Sequence, residues 1–183
     1  MARQTAYQKA IRKLQEEGDR QCRLIYGAAG LALHRHWGWR KKRIISIMEL
    51  TSVVWNECTS DPEKSMIQIC EEETEIEVQC GNGKSWRDVL FLNVKLDPGN
   101  MTNAKYVYMR QRQLAWLAPQ IMAAFMVALH RKEGFGFDRL SRIYAQIQEI
   151  ESEFGMDPKR VREACIKEAK VDISVEINKK PDV

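Results

Sequence analysis

The sequence predicts a mainly α-helical (α+β) protein: two tandem α-rich repeats, each ending in a short strand, related by a pseudo-twofold and sharing a small β-sheet. Three observations carry this expectation. First, Ala32-Leu33-His34-Arg35 recurs as Ala128-Leu129-His130-Arg131. At that same offset of 96 residues Gly38 meets Gly134, Trp39 meets Phe135, Arg43 meets Arg139, Asp61-Pro62 meets Asp157-Pro158 and Glu72 meets Glu168. A four-residue word with glycine and proline in one register is the mark of an internal repeat. Second, apolar residues recur at helical spacing through Ile44, Ile47, Met48, Val54 and Trp55, and again through Leu140, Ile143, Tyr144, Ile147, Ile150 and Phe154. Third, Ile76–Cys80 and Val171–Val175 alternate apolar and polar residues as half-buried strands do. The expected organisation is repeat one at 1–80, a linker at 81–101, repeat two at 102–178 and a polar tail at 179–183.

In order along the chain, a polar helix over about 6–17 is expected to break at Gly18-Asp19, with Asp19 capping the next helix. That helix carries Gly27, Ala28, Ala29, Gly30 and Ala32, small residues that admit a close neighbour. Its counterpart, about 103–132, contains Pro119, which breaks or kinks a helix. Gly38 and Gly134 fit the left-handed position just past a helix end. Asp61-Pro62 and Asp157-Pro158 pair a capping acid with a proline at the first helical position. A lone strand leaves its backbone groups unsatisfied, so the two terminal strands are expected to pair with each other or with the linker. There Gly81-Asn82-Gly83 suits a hairpin turn, and Leu90, Leu92, Val94 and Leu96 alternate like a third strand, although a helix from Ser85 fits nearly as well.

The net charge is +4, from 29 Lys and Arg against 25 Asp and Glu, and the two halves share the excess equally. Any electrostatic footprint is therefore local. The five cysteines contain no Cys-x-x-Cys, and the start of the chain lacks the apolar core of a signal peptide. With no apolar run of membrane-spanning length, these features predict a soluble protein of a reducing compartment with free thiols.

The densest chemistry is His34-Arg35-His36-Trp37-Gly38-Trp39-Arg40-Lys41-Lys42-Arg43. His34, Arg35, His130 and Arg131 have a structural explanation as cations on a helix's negative end. Arg40, Lys41, Lys42 and Arg43 do not, because they open the next helix, whose positive end favours acids. Repeat two has Gly136, Phe137, Asp138 and Arg139 there, so the fold does not require four cations. The candidate phosphate-binding set is Arg35, His36, Trp37, Trp39, Arg40, Lys41, Lys42 and Arg43, with the tryptophans available to stack on bases or to pack in the core. Competing motifs are weaker. Gly83-Lys84-Ser85 lacks the first glycine of a P-loop, since Val78 stands in its place. His34 and His36 point apart on a helix, and the cysteines lack ligand spacing. No cofactor, metal or catalytic residue is expected.

Ala128-Leu129-His130-Arg131 followed by Gly134-Phe135-Gly136-Phe137 and Arg139-Leu140 resembles small uncharacterised proteins of phages and prophages of Gram-positive bacteria. The resemblance spans about 25 residues of repeat two. It implies a phage accessory protein in the bacterial cytoplasm and implies no activity. The expected function is non-enzymatic binding of nucleic acid or nucleotide, for regulation or counter-defence. The rival expectation is an inhibitor that covers a host defence protein.

Overall fold

The computed structural model describes residues 5–59, 64–79 and 96–173. It contains seven α-helices among them: α1 (Ala6–Trp37), α2 (Lys41–Thr59), α3 (Met66–Thr74), α4 (Asn103–Leu114), α5 (Leu117–Glu133), α6 (Phe137–Glu153) and α7 (Pro158–Glu168), with a 3-10 turn at Pro98–Asn100 before α4. Helix α1 packs against α6 and α7, and α5 packs against α2 and α3. Each half of the chain therefore embraces the long helix of the other. One core holds both, with Leu31, Leu33, Ile44, Ile47 and Ile67 fully buried beside Phe125, Leu129, Leu140, Ile143 and Ile147.

Close approach is what this arrangement demands of α1. A Cβ at Gly27 would fall 2.5 Å from Val161 Cγ1, and one at Gly30 would fall 3.1–3.2 Å from Met48 and from Cys165. The succession of contacts, Gly27 to Val161 and then Gly30 to Cys165, shows α1 and α7 running side by side in the same direction.

Several sequence expectations are corrected. Helix α1 runs unbroken for 32 residues through Gly18 and Asp19. One helical glycine costs only about 1 kcal/mol. Here the bonds Arg12–Glu16, Arg20–Glu17 and Gln21–Glu17 brace the turns around it, and a Cβ placed at Gly18 would lie 3.5 Å from both Leu114 and Leu117. The second half of the chain does break, at Ala115-Trp116, where α4 and α5 meet at a bend of 44°. Pro119 lies three residues beyond the break: it cannot donate to the carbonyl of Ala115, and its ring would collide with that carbonyl in a continuous helix.

The expected small β-sheet is not found among the described residues. Among the described residues no strand forms, and 75–79 and 170–172 are irregular. The alternation is nevertheless real, because Ile76, Val78, Val171 and Ile173 are buried and Glu75, Glu77 and Gln79 are exposed. Backbone donors find other partners: Ile76 N donates to Thr74 Oγ1 (3.3 Å), Gln79 N to the Tyr144 hydroxyl (3.1 Å) and Val171 N to the Cys165 carbonyl (3.4 Å). The buried side chains of each segment add to the core. Of the expected linker strand (Leu90, Leu92, Val94 and Leu96) only Leu96 is among the described residues, and the hairpin turn and the Asp61-Pro62 cap lie outside them.

Helix ends follow local chemistry. Thr5 and Gln8 form a reciprocal capping box, Thr102 caps α4 and Ser65 caps α3, and Asp157 precedes Pro158 and caps α7. Gly38 (φ +67°) and Gly134 (φ +62°) close α1 and α5, and each donates its N–H to the histidine carbonyl four residues back. A Cβ at Gly134 would have nothing within 4 Å, so Gly134→Ala isolates the backbone conformation. It should lower the urea midpoint by an amount equivalent to about 1 kcal/mol or more, with an unchanged slope. An unchanged midpoint would count against the left-handed cap.

Candidate functional site

The turns that close α1 and α5 lie against each other. Trp37 packs on Phe135 with ring centroids 4.9 Å apart, and Trp39 meets Phe135 edge-on at 6.1 Å. Arg43 stacks over Trp39 at 4.0 Å and Arg139 over Phe135 at 5.7 Å. A chain of contacts, arginine–aromatic–aromatic–arginine, thus ties the start of α2 to the start of α6.

The repeated His-Arg word is structural. His34 Nδ1 lies 3.0 Å from the carbonyl oxygen of Trp39, and His130 Nδ1 lies 2.9 Å from that of Phe135. A carbonyl only accepts, so Nδ1 carries the proton in both. Arg35 makes a two-pronged bond to Glu168, both arms 2.8 Å, and a third bond to Glu153 at 2.7 Å. Arg131 does the same with Glu73 (3.0 and 2.6 Å) and Glu57 (3.0 Å). The Glu168 hydrogen bonds push Arg35 further up from its already high range, and Arg35 in turn holds Glu168 below the usual carboxylate range. The acid matching Glu168 is Glu73 and not Glu72, so the offset of 96 that relates Glu57 to Glu153 shortens to 95 after α2. Cys70 and Cys165, and the left-handed Glu75 and Lys170, share the shorter offset.

Of the candidate phosphate-binding residues, four are engaged inside the protein. Arg35 is bound as above. Trp39 is only 4% exposed, which leaves no ring face for a base. Trp37 donates from Nε1 to Gln146 Oε1 at 2.9 Å while packing on Phe135. Arg43 reaches Glu133 as well as Trp39. The other four, His36, Arg40, Lys41 and Lys42, are exposed and have no acidic partner among the described residues. Through Phe135 and Trp39 the structure links Arg139 to the same turn; Arg142 lies one turn further along α6, and Phe137, 51% exposed, opens that helix. The pairing of Arg43 with Arg139 at the repeat offset was the available signal for them.

Burial pushes the thiols of Cys22 and Cys70 up to about 11 and that of Cys165 up to about 12, so they stay protonated at neutral pH. Among the described residues no three His, Cys, Asp or Glu side chains come together as a metal site. No single helix among them is long and apolar enough to cross a membrane. No protein-family model, curated protein or solved structure matches this chain.

Two measurements follow. Arg35→Ala and Arg131→Ala should each destabilise by about 1 kcal/mol, given partly exposed but two-pronged pairs, and by similar amounts, read from urea midpoints. A loss at one and none at the other would break the equivalence. Glu151 lines a small cavity of about 170 Å³ with Met122, Pro119 and Tyr144, and burial raises its carboxyl from 4.5 to about 6. Between those values the folded chain holds a proton that the unfolded chain has lost, so stability falls as pH rises through that window. Glu151→Gln should therefore raise stability by an amount on the order of 1 kcal/mol at about pH 8 and by much less at about pH 4. Equal gains in thermal melts at both pH values would contradict this.

Proposed function

We propose that this protein acts without catalysis, by holding the phosphate backbone of a nucleic acid against the cationic face built around Arg40, Lys41 and Lys42. One observation supports this above others. Lys41 and Lys42 occupy the first turn of α2, where there is no acid, and Arg40 stands immediately before it; none of the three has an acidic partner among the described residues, although Arg35, Arg43 and Arg131 are all ion-paired. Cations on a positive helix end cost a few tenths of a kcal/mol each, and a bound phosphate reverses that sign. His36, Arg139 and Arg142 extend the face. The recognition is electrostatic, since Trp37 and Trp39 are committed to packing. Within the phage setting that the sequence resemblance implies, regulation of phage DNA or counter-defence would use such binding. The exposed Phe137 beside the cations gives a second reading, an inhibitor surface for an acidic host defence protein.

The test is anisotropy with fluorescently labelled mixed-sequence DNA and RNA over a salt series. Wild type should bind, and affinity should fall steeply with salt in proportion to the phosphates neutralised. Replacing Arg40, Lys41 and Lys42 by the residues of the matching turn (Gly, Phe and Asp) should cost at least about tenfold in affinity while thermal melting is unchanged or slightly raised. Wild type that binds neither nucleic acid at low salt would transfer the proposal to the inhibitor surface. A folded triple variant with wild-type affinity would remove the site.

A further inference from the structure

We infer that a second, separate site takes a nucleoside di- or triphosphate, in the cleft between the middle of α1 and the turn that joins α6 to α7. This open cleft of about 770 Å³ is lined by Arg20, Arg23, Met156, Pro158, Lys159 and Arg162, with Asp157 and Glu163 as the acids lining it among the described residues. Its size falls within the roughly 300–1,000 Å³ usual for small-molecule sites.

The geometry explains why cations from two helices meet here. Gly27 of α1 abuts Val161 of α7 and the helices run in the same direction. The residues one to two turns earlier on α1, Arg20 and Arg23, therefore face the beginning of α7. Lys159 and Arg162 sit there, three apart on one side of the helix. Like charges converging on one cleft repel, and the acids nearby are paired with Arg162 and Arg20, which leaves Arg23 and Lys159 uncompensated. Asp157 is committed to capping, with its carboxylate accepting from the backbone N–H of Lys159 at 2.9 Å. Glu17 holds Arg20 only loosely at 3.5 Å. Arg162 is held by Asp172 through two bonds of 2.9 and 2.7 Å, which fixes its guanidinium beside the cleft. Arg23 and Lys159 are exposed and have no acidic partner among the described residues. Because α7 already has its cap, the case rests on these side chains and on the cleft, not on the helix end.

The walls also carry apolar surface. Met156 is 52% exposed, an unusual position for a large apolar side chain, and Pro158 stands beside it. Cations on one side and a thioether and a pyrrolidine ring on the other suit a ligand with a phosphate chain and a flat base. The positions 96 residues on are Trp116 and Pro119, just before α5 and in its first turn, so the other half of the molecule has no matching pair of arginines.

Isothermal titration with ATP, inorganic tripolyphosphate and adenosine tests this on the full chain. ATP should bind, tripolyphosphate should bind several-fold more weakly and compete with it, and adenosine alone should bind negligibly. Arg23→Glu with Lys159→Glu should weaken ATP at least about tenfold with an unchanged circular dichroism spectrum, and Arg23→Lys with Lys159→Arg should largely preserve it. Met156→Ser should reduce the preference for ATP over tripolyphosphate. The α2 triple variant should bind ATP as wild type does, which keeps this site distinguishable from the nucleic-acid face. No ATP binding, or wild-type affinity in the Arg23/Lys159 charge-reversal variant, would overturn the proposal. Equal affinity for ATP and tripolyphosphate would overturn the assignment to a nucleotide.

Discussion

The architecture depends on how closely α1 lies against α7. At Gly27 there is no room for even a methyl group, and Ala28, Ala29 and Ala32 are fully buried around it. Because α1 finds most of its partners in α6 and α7, while α5 finds its partners in α2 and α3, neither half buries its own long helix. Contacts between segments distant in sequence therefore carry the stability, and they form at the cost of closing long loops. The Arg35 and Arg131 clusters act at the far ends of these same pairings. Arg35 ties the end of α1 to the ends of α6 and α7, and Arg131 ties the end of α5 to the ends of α2 and α3.

How much of this was legible follows from how local each determinant is. Glycine beyond a helix end and Asp-Pro before one are decided within a few residues, and Gly38, Gly134 and Asp157-Pro158 behave as their local chemistry dictates. The helical periodicity of α6 likewise marks its buried face, with Leu140, Ile143, Ile147 and Ile150 all inside. The strand expectation shows the limit. Alternation reports which side chains are buried, and Ile76, Val78, Val171 and Ile173 are, but it does not report what the backbone bonds to. Thr74 and Tyr144 supply acceptors that no local pattern announces. Gly18-Asp19 reads as a break locally, yet the helix continues through it, braced by the Arg12–Glu16, Arg20–Glu17 and Gln21–Glu17 bonds.

The same distinction divides the candidate site. Arg35 and Arg40 are five residues apart and indistinguishable by type, yet one is bound by Glu168 and Glu153 while the other projects alone. Only the exchange of helices between halves, which delivers α7 to the end of α1, separates them. Trp37 and Trp39 are claimed in the same way by Phe135. A basic-aromatic run in sequence thus resolves into a structural part, which fastens the two turns together, and a residue of cations that the fold does not use.

That residue lies at two places along one rigid helix. Arg23 on α1 and the turn at Gly38 are separated by about 22 Å at the α-helical rise, farther than a single nucleotide can reach with its phosphates. The two cationic regions must therefore be judged as separate sites, each with its own variant and its own ligand. Their local surroundings differ in kind as well. The α2 turn is an exposed face with charge but no enclosure, which suits a long polyanion held by its backbone. The α1–α7 cleft has walls, apolar surface and a guanidinium fixed by Asp172, which suits a small ligand that must be surrounded to be held at all.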